Sequence, residues 1–497
     1  MNKDKLLKDY FDWQYKLSSY TLALQTISFD ISTIAPSKGK TYKIERMSYL
    51  SGEHYKLLTD PKINDLINEL LKYSDLDFDI RKELELLKIS KEKISCIPLE
   101  EYMNFSKYQR ETNLIWEQAK EQDDFNIFKS NLDNLVKMIV KNTKYRNNGD
   151  IFDNLIDDYE RGMSKKEYDF FFDEIERELL PLIKKIKSIK QPVDSSILKS
   201  PVKIEIQKEI TELICDYLNF DRTWGYFGES VHPFTSAISK NDVRLTTRYH
   251  EDDFISNIYS VIHELGHGIF EHQVDEKYDG RLILDEITSG LHESQSRLLE
   301  NYIGKSYSFW KANYSVLQSK IAFLKDVSLD DFYKMINLVG DSKIRIESDE
   351  LTYPIHILIR YRIEEAMVNN TVSIDDLPAL WNKYMKDYLD LDITNNAEGI
   401  LQDVHWSYGM LGYFPTYALG SAYAAQIFNT MKKELDIDHL LISNNFKVIN
   451  EWLKDNIHKH AGLYNGNEML EKVTNEKFNP KYYIDYLKDK FTKIYNL

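Results

Sequence analysis

The 497-residue chain carries 64 Lys and Arg against 80 Asp and Glu, a net charge of −16, and is 42% hydrophobic. That balance excludes a nucleic-acid binder, which needs a basic surplus to neutralise phosphates, while the apolar content is ample for a core. Two cysteines, Cys96 and Cys215, stand far apart in no metal-binding spacing, which excludes a disulfide framework and a cysteine-based zinc site and fits a reducing compartment.

Only 18 Gly and 11 Pro interrupt the chain, so long helices are expected. At this length they build either two or more ordinary domains or one large enzyme domain with lobes. The opening residues, Met1 to Asp12, are charged throughout and lack an apolar signal core. No apolar run is long enough to cross a bilayer. A soluble cytoplasmic protein with no membrane contact is the expectation.

Leu6, Tyr10, Trp13, Leu17, Tyr20, Leu24 and Ile27 recur at helical, heptad-like spacing. Ala35 to Lys40 breaks the pattern, and a second helix follows through Met47, Leu50 and Tyr55. Residues 1–75 read as an N-terminal lid or dimer element, or equally as an ordinary antiparallel helical pair. Helical period continues over 61–145, for example at Ile63, Leu66, Ile67 and Leu70, then at Leu132, Leu135, Val136 and Ile139. Arg146 to Asp150 reads as a turn and Ser164 as the N-cap of the next helix. The clearest loop runs from Gln191 to Ser196 and through Lys199, Ser200 and Pro201, with the proline at the first position of another helix. There is no internal repeat.

Strand signals are scarce. The best is the alternating, β-branched stretch Val243 to Tyr249, read either as a strand to which an extended peptide adds or as a short hairpin arm.

Directly after it, Phe254, Ile258, Val261 and Leu265 form an apolar stripe, widened by Ile255, Ile262 and Ile269. On that helix His263 and His267 lie four residues apart on one face, with Glu264 between them. This H-E-x-x-H spacing lets two imidazoles hold one metal while the glutamate reaches a water on it. In a largely apolar helix such polar groups are costly unless a metal or hydrogen bonds satisfy them. A catalytic zinc takes three protein ligands and keeps one position open. A third histidine in the H-x-x-G-x-x-H continuation is ruled out by Phe270 and Gln273, and His272 is out of register. The third ligand is therefore a later carboxylate. Glu286 and Glu293 both qualify, and spacing does not choose between them.

The run Leu291-His292-Glu293-Ser294-Gln295-Ser296-Arg297 resembles the signature of the carboxypeptidase Taq family of metallocarboxypeptidases. Further segments are similar to that family: Tyr159 to Met163, Val231 to Thr235, Asp242 to Thr246, Ile359-Arg360-Tyr361, Gly399 to Trp406, and Gly412 to Gly420. The match covers nearly the whole chain, from about Phe29 to His458. Phe29, where that family has tryptophan, and the stretch Gly225 to Glu229 are departures away from the ligands.

The resemblance implies that His263, His267 and Glu293 bind the metal and that Glu264 is the general base. It implies Arg360 as the cation for a substrate's C-terminal carboxylate, a task suited to a bidentate guanidinium, with Arg244 as an alternative. For Arg360 the residue-level reading is instead a structural ion pair with Glu364, one turn on. His405, Tyr413 and Tyr417 are implied to hydrogen-bond the substrate carbonyl or developing oxyanion. His232 and Gln402 are implied to line the site, and Asp403 to orient a histidine or act as a cap.

The expected protein is a single, mainly helical, two-lobed domain over residues 1–497, with a deep cleft and a small sheet beside the His263 helix. Its expected activity is release of single C-terminal residues with broad specificity, poor before a C-terminal proline. Zinc is the expected metal, with cobalt or manganese open to the same donors, and a homodimer is implied by the family. The rivals are an oligoendopeptidase of similar helical fold and a non-catalytic peptide-binding protein with a structural metal.

Overall fold

The computed structural model describes residues 2–146, 149–230 and 232–497. Asn147 and Asn148 of the expected turn, and Val231 before His232, lie outside the described residues. The fold is mainly α, with twenty α-helices and one three-stranded sheet among the described residues.

Local signals set many of the boundaries. Ser164 caps the helix Lys165–Lys187 through a reciprocal capping box with Glu167. The expected break at 35–40 is shorter, because Pro36 already has the extended geometry of an N-cap and the helix resumes at Ser37. Pro201 does not open a helix. The backbone stays extended to Lys203, with the Val202 N–H donating to the Glu251 carbonyl at 2.7 Å, and the helix begins at Ile204.

The interior divides into unequal cores. Leu6, Tyr10, Trp13 and Leu17 pack with Ile63, Ile67, Leu70, Leu84 and Leu87 in a separate N-terminal cluster, which reaches past residue 75. Tyr20, Leu24 and Ile27, expected on the same stripe, are only half-buried. The main core runs from Ala119 to Tyr495.

The sheet contains β1 (Gly225–Glu229), β2 (Thr235–Ser239) and β3 (Asp242–Thr247) in the order β1-β3-β2. The one strand expected is β3, ending two residues early. It pairs parallel with β1 and antiparallel with β2, so both its edges are filled and no peptide can add to it. The flanking strands were not legible, since Gly-Tyr-Phe-Gly-Glu and Thr-Ser-Ala-Ile-Ser lack clean alternation.

The helix Phe254–Gln273 is capped by Asp253 and buried along most of its length. It crosses the helix Ser289–Arg297 with almost no gap. A Cβ on Gly266 would lie 2.5 Å from the Ser296 Cα and 2.6 Å from the Gln295 carbonyl oxygen. On the other side Gly420, in the helix Pro415–Glu434, meets Glu293, where a Cβ would lie 2.6 Å from the Glu293 Cγ. The Glu293 helix is thus held between two glycine contacts. Gly266→Ala is expected to force the first pair of helices apart and lower stability by about 1–3 kcal/mol, read from denaturant unfolding with the wild type alongside.

Candidate active site

His263, Glu264 and His267 line a cleft of about 580 Å³, whose walls also include Thr235, Glu293, Arg297, Arg345, Tyr413 and Tyr417. The Glu293 Oε2 lies 3.8 Å from the His263 Nε2 and 3.6 Å from the His267 Nε2. One donor atom from each residue falls within 4.8 Å of the others, the single such group among the described residues. Bonds of about 2.0–2.2 Å from imidazole nitrogen and carboxylate oxygen span the gaps to Glu293. The donor set therefore fits a divalent cation.

The charges are prepared for that role. Burial would raise Glu293, but Arg297 and the two histidines hold its carboxyl well below the usual range. Burial and the neighbouring His292 hold His267 down to about 3, so the ring is neutral, the form that can donate a lone pair to a cation. The Nδ1 of His263 sits 2.9 Å from the Glu300 Oε2, an outer carboxylate that fixes the ring. Glu300 is held in turn by Arg297 at 3.1 Å and Lys305 at 3.2 Å. Glu293, Arg297 and Glu300 face one way because they stand at i, i+4 and i+7, the last on the π-helical stretch Leu298–Gly304. His267 has no partner at Nδ1 among the described residues; its ring stacks on His292 at 4.3 Å.

Glu264 is buried, which pushes its carboxyl up, while His263 and Thr235 oppose the rise. The Thr235 hydroxyl donates to the Glu264 Oε2 at 2.7 Å. β2 thereby reaches the site through its first residue.

Glu286, the other carboxylate of suitable spacing, is engaged elsewhere. It accepts from Arg161 at 2.9 Å and from Ser90 at 2.8 Å, in a neighbouring cavity.

The substrate side differs from expectation. Arg360 does not face the cleft: it is 0% exposed, lies over the Trp381 ring, and donates to Asp403, the His356 carbonyl and the Gln402 side chain, each at 2.7 Å. Its ion-pair partner is Asp403 and not Glu364, which accepts from the Trp406 indole and the Gly412 N–H. Among the described residues Asp403 hydrogen-bonds no histidine; it pairs with Arg360 and Arg345, the latter at 2.9 Å. Gln402 lies behind the wall, accepting from the Arg345 N–H and donating to the carbonyls of Lys343 and Glu398. Arg244 is paired with its own-strand neighbour Asp242 at 2.8 Å and covers the Phe29 ring. His232 is exposed at the rim, and the cleft wall begins with Pro233.

Tyr413 and Tyr417 do line the cleft. His405 stands behind them with its Nε2 3.1 Å from the Tyr417 hydroxyl, and burial and the nearby Arg345 hold it down to about 4.

The cations that reach the cleft are Arg297 and Arg345, neither singled out from the sequence. Arg297 spends its donors on Glu293 at 2.7 Å, on Glu300, and on the Tyr353 hydroxyl at 2.8 Å. Arg345 lies over Tyr417, anchored on Asp403, with its Nη1 held among the described residues only by a long 3.3 Å bond to the same Tyr353 hydroxyl. A helical i, i+4 relation to Glu293 is the signal that could have found Arg297. For Arg345 the signal was ambiguous, because an Ile-Arg pair occurs at both 344–345 and 359–360.

A family model described as carboxypeptidase Taq (M32) metallopeptidase matches residues 10–491. The chain is 38% identical over 497 residues to carboxypeptidase 1 of Bacillus subtilis (strain 168), covering 99% of each. It is 31% identical over 501 residues to thermostable carboxypeptidase 1 of Thermus thermophilus, covering 96% of this chain and 97% of the relative. The solved M32 carboxypeptidase from Deinococcus radiodurans R1 is similar with a TM-score of 0.96 at 26% identity, covering 99% of this chain and 100% of that one.

Glu293→Gln is expected to weaken zinc binding by more than the roughly 10–100-fold typical of losing an outer partner, as read by competition with a chromophoric chelator. Unchanged affinity would place the third donor elsewhere.

Proposed function

Because the chain belongs to the carboxypeptidase Taq (M32) metallopeptidase family and is a metal-dependent carboxypeptidase, we propose that it removes single C-terminal residues, with His263, His267 and Glu293 holding the metal, Glu264 as general base and Arg345 fixing the terminal carboxylate. The observation that carries this reading is a single cleft lined by both the donor triad and a guanidinium with a spare donor.

When bound, a divalent cation at such a site polarises the scissile carbonyl and lowers the pKa of a water from about 15.7 towards about 7. Glu264 holds one carboxylate oxygen on Thr235 and uses the other to take the water's proton and pass it to the leaving amine. Its burial favours proton uptake. Arg345, fixed from behind by Asp403, offers its Nη1 to the substrate carboxylate, so the last peptide bond and no other is drawn to the triad. Tyr413 and Tyr417 place phenol hydroxyls in the same cleft for the carbonyl oxygen, and His405 steers Tyr417 from behind.

Zinc is the metal we assign, with cobalt and manganese suited to the same two imidazoles and carboxylate. We assign broad specificity with poor cleavage before a C-terminal proline, a homodimer, and a cytoplasmic location that the two free cysteines support. No helix of the described residues is long and apolar enough to cross a membrane. The whole chain is taken as one domain. Its N-terminal element touches the cleft lining where Phe29 packs against Phe234 at 5.7 Å, a contact open to a lid.

An N-blocked dipeptide with a free C-terminus is expected to be cleaved well and its C-terminal amide hardly at all; equal cleavage of both would favour an oligoendopeptidase. Arg345→Ala should cost about 2–5 kcal/mol in kcat/KM on the free acid, while Asp403 keeps Arg360 as its partner and the fold survives. Glu264→Gln should keep the metal and lose roughly 100-fold or more in kcat; full activity in that variant would remove Glu264 from the mechanism.

A further inference from the structure

We propose that Glu160 is a positioning residue for Glu293: its buried carboxylate holds the first turn of the Ser289–Arg297 helix and so fixes where Glu293 presents its oxygens to His263 and His267. The inference rests on the reading of Glu293 as the third metal ligand.

The first turn of a helix leaves backbone N–H groups without intrahelical partners, and the N-cap side chain ordinarily accepts from one of them. Here the N-cap, Thr288, makes no such bond. Its hydroxyl turns outward and donates to the Glu160 Oε1 at 2.8 Å. Two of the N–H groups that need acceptors are served by the segment Tyr159–Glu160 instead. Ser289 donates to the Tyr159 carbonyl at 2.9 Å, and Gly290 donates to the Glu160 Oε2 at 2.6 Å. A residue more than a hundred positions earlier in the chain therefore caps the helix.

Glu160 is itself tightly confined. It is 0% exposed, and the Tyr423 hydroxyl donates to its Oε1 at 3.4 Å from the helix Pro415–Glu434. Its neighbour Arg161 is engaged with Glu286, so no side-chain cation among the described residues hydrogen-bonds this carboxylate. A Cβ on Gly290 would lie 2.6 Å from its Oε2 and one on Gly466 2.5 Å from its Oε1. The slot admits the carboxylate and leaves it no room to swing. From Gly290 to Glu293 is one helical turn, a rigid link. Tyr423 joins the same carboxylate from the helix whose Gly420 presses on Glu293, so the two contacts share one frame.

The test compares zinc affinity, by competition with a chromophoric chelator, with the thermal stability of the metal-free full-length protein. Glu160→Ala is expected to weaken zinc binding by roughly 10–100-fold. Glu160→Gln, which can still accept from Gly290 and turn its amide to the Thr288 hydroxyl, should recover most of that affinity. Thr288→Val removes one donor and should give a smaller loss in the same direction, which keeps the test open if the alanine variant does not fold. Wild-type zinc affinity in a folded Glu160→Ala or Thr288→Val variant that has only lost thermal stability would show a purely structural role and overturn the proposal. Glu293→Gln measured in parallel separates the two readings. If it binds zinc as the wild type does, the ligand assignment fails. If it binds weakly while the Glu160 variants bind normally, only the positioning role fails.

Discussion

The closeness of three helices is the constraint on which the site depends. Gly266 lets the helix carrying both histidines meet the Glu293 helix backbone to backbone, and Gly420 lets a third helix close on Glu293 from the far side. Any side chain at either glycine would occupy the space of the partner, so the donor triad is set by helix separation and not by loop geometry. Interiors packed to this density transmit small shifts without damping them. A donor group built on such contacts is precise because its supports cannot relax.

Charge organisation follows from the same packing. Burying Glu293, Arg297 and Glu300 in one cluster is costly unless every partner is present. Here each is: Arg297 bonds both carboxylates, Lys305 completes Glu300, and His263 takes the remaining contact. A second cluster stands on the Arg345 side of the cleft. Asp403 accepts from Arg345 and Arg360 together, and the Tyr353 hydroxyl accepts from Arg345 and Arg297, so the Glu293 side and the Arg345 side of the cleft share one hydrogen-bonded wall. Arg360 is the inner member of that wall. It stiffens Asp403, which in turn holds Arg345 at the cleft.

Much of the architecture was legible from local patterns. Ser164 and Glu167 spell their capping box, the stripe from Phe254 to Leu265 marks a buried helix, and the alternation in β3 marks a strand. β1 and β2 were not legible because their residues are half-exposed and carry no period, and they are strands by virtue of β3 between them. The N-terminal stripe is buried only in its first half, because just that part meets the helices at 61–70 and 78–95.

The sequence by itself determined the helical period, the H-E-x-x-H spacing, the exclusion of a third histidine and the family pattern that singles out Glu293, since each depends on residue types at short or fixed intervals. Only the tertiary structure showed that Arg345 lines the cleft while Arg360 does not. Both follow an isoleucine, and both are arginines with an aspartate to pair with. Their positions differ: one sits at the cleft wall and the other one layer behind it. It also showed that Glu286 is occupied by Arg161 and that Glu160 caps a helix far along the chain. Those are contacts between segments distant in sequence, and direction of burial is a property of the packed molecule that no local pattern encodes.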